Sequence, residues 1–176
     1  MCGGTEKDDM KQRRFLNPAV MLLAGLFLGA ASRFLDIYTE NLGNIFSQMA
    51  VWILLGTLIS IYSPSPKQAA WNVLFFCAGM LLTYYAAAVL TAGVYRKVMI
   101  AGWTVFALFS PLLGHIAWFA KEKGVFPKLI CFGIVAVSAA SSLILFDGFR
   151  VYDWLIDGAL IYFLFIRKIE RKNALR

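Results

Sequence analysis

The chain has 176 residues, 60% of them hydrophobic and 15% charged, with a mean hydropathy of +0.70. That balance lies outside the range of soluble globular domains and leaves no length for a separate soluble domain beside the apolar segments. The formal net charge of +7 does not point to nucleic acid, because the basic residues collect at the ends of apolar runs, where they set membrane orientation.

Taken in order, residues 1–17 form a polar leader of mixed charge. Pro18 opens a first span reaching about Tyr38, at a helix position where its missing N–H costs nothing. The basic lead, the apolar run and Gly29-Ala30-Ala31-Ser32 imitate a cleavable signal peptide, and the segment is read as retained. Gly25 and Gly29 make a G-x-x-x-G step, which lets a second helix approach closely. The second span is expected over 45–62, stopping at Ser63-Pro64-Ser65-Pro66 because proline denies the helix its continuation. The third, over 69–95, carries Gly79 and Ala86-Ala87-Ala88 as a smooth packing face.

Arg96-Lys97 leave room for a tight turn into the fourth span, over 98–119, which contains Pro111 and the sole histidine, His115. His115 is read as a side chain bonding a carbonyl that the proline frees. A loop with Lys121, Glu122, Lys123 and Gly124 precedes the fifth span, over 129–146. Asp147-Gly148-Phe149-Arg150 turns into the sixth, over 149–167, and 168–176 is a basic tail. Cys2, Cys77 and Cys131 are isolated and form neither a disulfide framework nor a metal spacing. No phosphate loop, metal-binding helix motif or nucleophile elbow occurs, so neither a cofactor nor a metal is expected.

The expected fold is all-α, a single bundle of six transmembrane helices. With six spans both termini share one side, which then holds thirteen of the seventeen Lys and Arg residues; Arg33, Arg96, Lys97 and Arg150 lie on the other. The positive-inside rule makes the richer side cytoplasmic, so the expected location is the cell membrane with both termini inside.

The sixth span carries the acids that a helix in lipid should lack. Asp153 and Asp157 are four residues apart and share a helix face. An unpartnered central charge costs roughly 2.5–3.5 kcal/mol on insertion. Arg33 and Asp157 both lie roughly 8–9 Å below the outer end of their spans at 1.5 Å per residue. They can pair if the first and last helices are neighbours, with Asp36 and Asp153 one turn away. One reading is a structural clamp. The other is an outward-facing polar cavity lined by Arg33, Asp36, Asp153 and Asp157, with Tyr84, Tyr95 and Trp154 for stacking. There the surplus of acid favours a cationic or hydrogen-bond-rich solute.

In architecture the chain resembles the substrate-binding S-components of energy-coupling-factor transporters, which are single six-helix bundles of similar length with cytoplasmic termini and an outward pocket. The resemblance implies a small-molecule solute, and a membrane scaffold and ATPase as partners beside the lipid bilayer. By that resemblance Gly25-x-x-x-Gly29 and Ala88-x-x-x-Ala92 would play the part of the family's small-residue docking steps on the first and third helices, although Ala88 and Ala92 lie toward the outer half of the third span, where the family's step does not. Two other classes stay open: a membrane hydrolase in which Asp36 and Asp153 or Asp157 share a proton, and a non-catalytic accessory or immunity-type protein whose charges are structural.

Overall fold

The computed structural model describes residues 16–39, 48–90, 97–146 and 150–167; the side chains of 36, 88, 97–100, 145 and 146 are outside the description. Among the described residues there are six helices and no strand: α1 (Pro18–Tyr38), α2 (Met49–Tyr62), α3 (Pro66–Leu90), α4 (Lys97–Trp118), α5 (Val125–Phe146) and α6 (Val151–Ile161). A 3-10 turn, Phe119–Lys121, ends α4, and a π-helical turn, Tyr162–Ile166, continues α6. Four of them, α1, α3, α4 and α5, are long and apolar enough to cross a membrane. At 1.5 Å per residue α2 is about 21 Å long, short of a hydrocarbon core of about 30 Å.

Local chemistry explains where the helices begin. The Asn17 side chain accepts from the Val20 N–H at 2.9 Å, capping α1 ahead of Pro18. The Ser63–Pro66 stretch ends α2 and also starts α3, three residues earlier than expected. Ser65 accepts from the Gln68 N–H at 3.2 Å, and Pro66 takes a first-turn place that needs no N–H donor. Likewise α5 starts at Val125, ahead of the expected 129. Gly124 takes a positive φ of 134°, which suits glycine, and Pro127 falls within the first turn, where proline is tolerated.

The distribution of side chains is that of a protein in lipid. Leu23, Phe27, Leu108, Phe132, Ile144 and Leu155 are exposed, whereas Ser60, Asn72, Ser110, Ser138, Ser142 and Asp153 are buried. Apolar surface of this extent would drive aggregation in water, and buried hydroxyls serve as interhelical and backbone-satisfying donors in a bilayer.

Two groups of helices meet on α2. On one side α1 is seated on α3, and a core of Trp52, Val73, Phe76, Cys77, Met80 and Ala107 joins α2, α3 and α4. On the other, Ile61, Ala120, Cys131, Leu160 and Leu164 join α2 to α5, α6 and the 3-10 turn. The α1–α3 contact is backbone to backbone. A Cβ added at Gly79 would come within 2.6 Å of the Leu22 carbonyl oxygen, and Gly25 and Gly29 meet the backbone of Phe76 and Met80 as closely. Thr83 Oγ1 then donates to Leu26 O at 2.8 Å. The G-x-x-x-G step is thus filled by this chain's own third helix.

At the end of the bundle near Ser63, polar groups tie the pieces together. Asn72 Nδ2 donates to Leu16 O and to Ser63 Oγ, both at 3.0 Å, and Trp118 Nε1 donates to Ser63 O at 2.8 Å. Lys121 Nζ donates to Leu164 O at 2.9 Å and to Arg167 O at 2.7 Å, answering carbonyls that the end of a helix leaves without N–H partners.

Candidate functional site

The acids of α6 are brought together, and serines answer them. Ser138 Oγ donates to Asp157 Oδ1 at 2.7 Å, and one turn away Ser142 Oγ donates to Asp153 Oδ1 at 3.2 Å. Four residues along α5 match four residues back along α6, so the two contacts continue one antiparallel register. Asp153 Oδ2 also accepts the Arg150 N–H at 2.8 Å as half of a capping box, at a helix N-terminus where a carboxylate is favoured. Both acids are buried.

The pair expected between Arg33 and Asp157 is not made. Close glycine packing holds α1 to α3, α6 lies against α2 and α5, and the hydrogen bond to Asp157 comes from Ser138. Tyr84 lies on α3 with its ring edge-on to Tyr85 at 5.5 Å. Trp154, next to Asp153 on α6, is 68% exposed, whereas the two acids are buried. Asp36 is in α1, but its side chain lies outside the described residues, as does Tyr95 altogether. The residues expected to line one polar cavity are therefore divided between the α1–α3 and α5–α6 pairs wherever they are described.

Ser138 and Ser142 were missed as partners. The signal was the run Ser138-Ala139-Ala140-Ser141-Ser142, whose four-residue serine spacing matches that of the two aspartates. His115 packs its ring on Phe119 at 5.5 Å between centroids and does not take the carbonyl below Pro111. That carbonyl, Ala107 O, accepts from Ser110 Oγ at 2.7 Å.

A cavity of about 270 Å³ lies where the two helix groups meet. Its inner wall is Trp52, Gly56, Thr57 and Ser60 of α2 with Val73 and Cys77 of α3; Phe106, Ser110 and Leu113 of α4 and Ile130, Gly133 and Val137 of α5 complete it. The lining is apolar apart from a few hydroxyls and a thiol. Two of those hydroxyls are already used: Ser60 Oγ donates to Gly56 O and Ser110 Oγ to Ala107 O, each at 2.7 Å. A Cβ added at Gly133 would meet nothing within 4 Å, so the cavity wall is open at that position. None of the expected site residues that are described lines it. Among the described residues no cluster of His, Cys, Asp and Glu is arranged to hold a metal.

Compared with known proteins, the chain matches no family model, no curated protein and no solved structure.

Proposed function

We propose that the chain is a six-span integral membrane protein of the cell membrane, with both termini cytoplasmic, that holds a small apolar solute inside its bundle as a substrate-capture module or transporter subunit. The observation that carries this reading is the cavity between α2, α3, α4 and α5. A dry apolar cavity of about 150 Å³ takes benzene, so about 270 Å³ is room for about ten carbons by the same scaling. The charged cluster on α6 then acts as scaffold. Its carboxylates spend their hydrogen bonds on α5 and on the start of their own helix, which fixes the wall opposite the cavity's α2 face.

Thermal unfolding in detergent with hydrocarbons, vitamins and amines tests the proposal. Hydrocarbons of about ten carbons should raise the melting temperature, and Gly133→Leu, which places a side chain in the open space, should abolish the rise. Stabilisation by amines that disappears in Asp153→Asn and persists in Gly133→Leu would replace this reading with a solute site at the polar cluster.

A further inference from the structure

One polar group in the cavity wall has nothing to bond. Three hydroxyls line the cavity, and those of Ser60 and Ser110 donate to carbonyls of their own helices, Gly56 O and Ala107 O. The third, on Thr57, makes no hydrogen bond among the described residues. Yet Thr57 is only 5% exposed and stands midway along α2, the helix on which both groups of the bundle meet. Its oxygen is not sealed in protein as the unpartnered side-chain atoms of Gln48 and Asn72 are. The little surface that Thr57 keeps is therefore turned to the cavity it lines.

A hydroxyl without a partner in an apolar wall costs free energy. In a helix threonine ordinarily lowers that cost by turning Oγ1 to the carbonyl one turn back, and Thr57 leaves that carbonyl, Ile53 O, unused. Water is a poor substitute, because a buried water makes about three hydrogen bonds and the wall has one uncommitted hydroxyl to give it.

The rest of the lining limits what can bond there. No charged side chain lines the cavity, so an ammonium, a carboxylate or a phosphate entering it would be left unpaired, as would a second polar group. The lining residues that reach the outer surface, Leu113 and Ile116 of α4 and Val137 of α5, are exposed, and these two helices touch sparsely. In a bilayer that side faces acyl chains, which favours a lipophilic ligand. Of the lipophiles with a single oxygen, an alcohol suits Thr57 best. It can accept the Thr57 proton, and it can equally donate to Oγ1 if Thr57 turns its own proton to Ile53 O. A carbonyl can only accept.

We infer that the cavity takes a lipophilic alcohol with one hydroxyl and a body of about ten carbons, its hydrocarbon against the apolar wall and its hydroxyl bonded to Thr57 Oγ1. This rests on the reading of the cavity as a binding site and names the ligand class of that site.

The test uses the purified full chain in detergent with nonanol, decane and nonanal, which are equal in size. The shift of the unfolding midpoint with concentration gives each affinity. The preference for nonanol over decane in the wild type should fall about tenfold in Thr57→Val, a change of ~1.4 kcal/mol, which is what one buried hydrogen bond contributes. Nonanol should also outbind nonanal, and Gly133→Leu should remove the binding of all three. Without ligand, Thr57→Val should unfold at the same temperature as the wild type or higher, because it removes an unpartnered hydroxyl. A lower midpoint would show that the hydroxyl is bonded within the protein and would overturn the inference. A preference for nonanol that Thr57→Val leaves unchanged would do the same, with the apolar-solute reading left standing. Nonanal binding as tightly as nonanol would replace the alcohol with a carbonyl compound. Nonanol binding that survives in Gly133→Leu would place it outside the cavity, and no saturable response to nonanol or decane would overturn both readings together. Where Gly133→Leu fails to fold, the comparison with Thr57→Val decides alone.

Discussion

Ser138 donates its hydroxyl proton to Asp157 Oδ1 at 2.7 Å across the α5–α6 contact, and this bond stands where a salt bridge from the first helix was expected. Both partners are buried, so removing the donor strands a carboxyl group in a low-dielectric wall. Ser138→Ala should therefore destabilise the fold by about 1–3 kcal/mol, read as a lower unfolding midpoint in detergent. In a double-mutant cycle Ser138→Ala and Asp157→Asn should be strongly non-additive, whereas Arg33→Ala and Asp157→Asn should add. Coupling in the second cycle and none in the first would restore the Arg33 pairing.

The α1–α3 contact depends on the absence of three side chains. Gly79→Ala places a methyl 2.6 Å from Leu22 O, and the helices must separate to admit it, weakening the Thr83–Leu26 bond. A loss on the order of 1–3 kcal/mol is expected from overpacking of this kind. Gly102→Ala is the control, because nothing lies within 4 Å of its added Cβ; there a helix-interior glycine is replaced without a clash, and a gain of about 0.5–1 kcal/mol is expected. Equal effects at the two positions would contradict the close packing.

The helical character and most helix ends were legible because they rest on local signals: apolar runs long enough for a bilayer, Asn17-Pro18, the two prolines after Ser63. The helix starts at Pro66 and Val125 lie ahead of the expected 69 and 129, because proline, which ends a helix, also suits its first turn. The partner of Asp157 was not legible by searching for charge. Opposite charges at equal depth select Arg33, yet depth says nothing of which helices are neighbours, and the neighbour relation is set by small residues at Gly25, Gly29 and Gly79. The cavity was invisible for a similar reason. It is made by what α4 and α5 fail to fill, and Gly133 and Ser110 carry no pattern that marks a void in a one-dimensional string.

At the Ser63 end, Trp118 fills the interior and its Nε1 donates to Ser63 O at 2.8 Å. Trp118→Phe keeps an aromatic ring and removes the donor, leaving a buried carbonyl unsatisfied. A destabilisation of about 1–3 kcal/mol should follow. Lys121→Met keeps the apolar stem and removes the ammonium that holds Leu164 O and Arg167 O. Amide exchange should then quicken over the π-helical turn while α3 keeps its protection; uniform acceleration across the chain would show that Lys121 supports the whole bundle and not that turn.

The six-span topology proposed above makes a prediction that does not depend on the cavity. Thirteen of the seventeen Lys and Arg residues fall on the side of the termini when all six helices cross, which places the Asn41 and Gly148 connections outside and the Lys123 loop inside. Cys77 and Cys131 are buried, so a chain with Cys2→Ser gives a low background for a membrane-impermeant thiol reagent. In intact cells such a reagent should label Asn41→Cys and Gly148→Cys and spare Lys123→Cys, and permeabilised cells should show all three labelled. Labelling of Asn41→Cys but not Gly148→Cys would mean that an odd number of the four helices between them, α2 to α5, fails to cross, and would refute the six-span topology. The reverse pattern, with Lys123→Cys labelled from outside, would invert the bundle and put the basic loop at the outer leaflet.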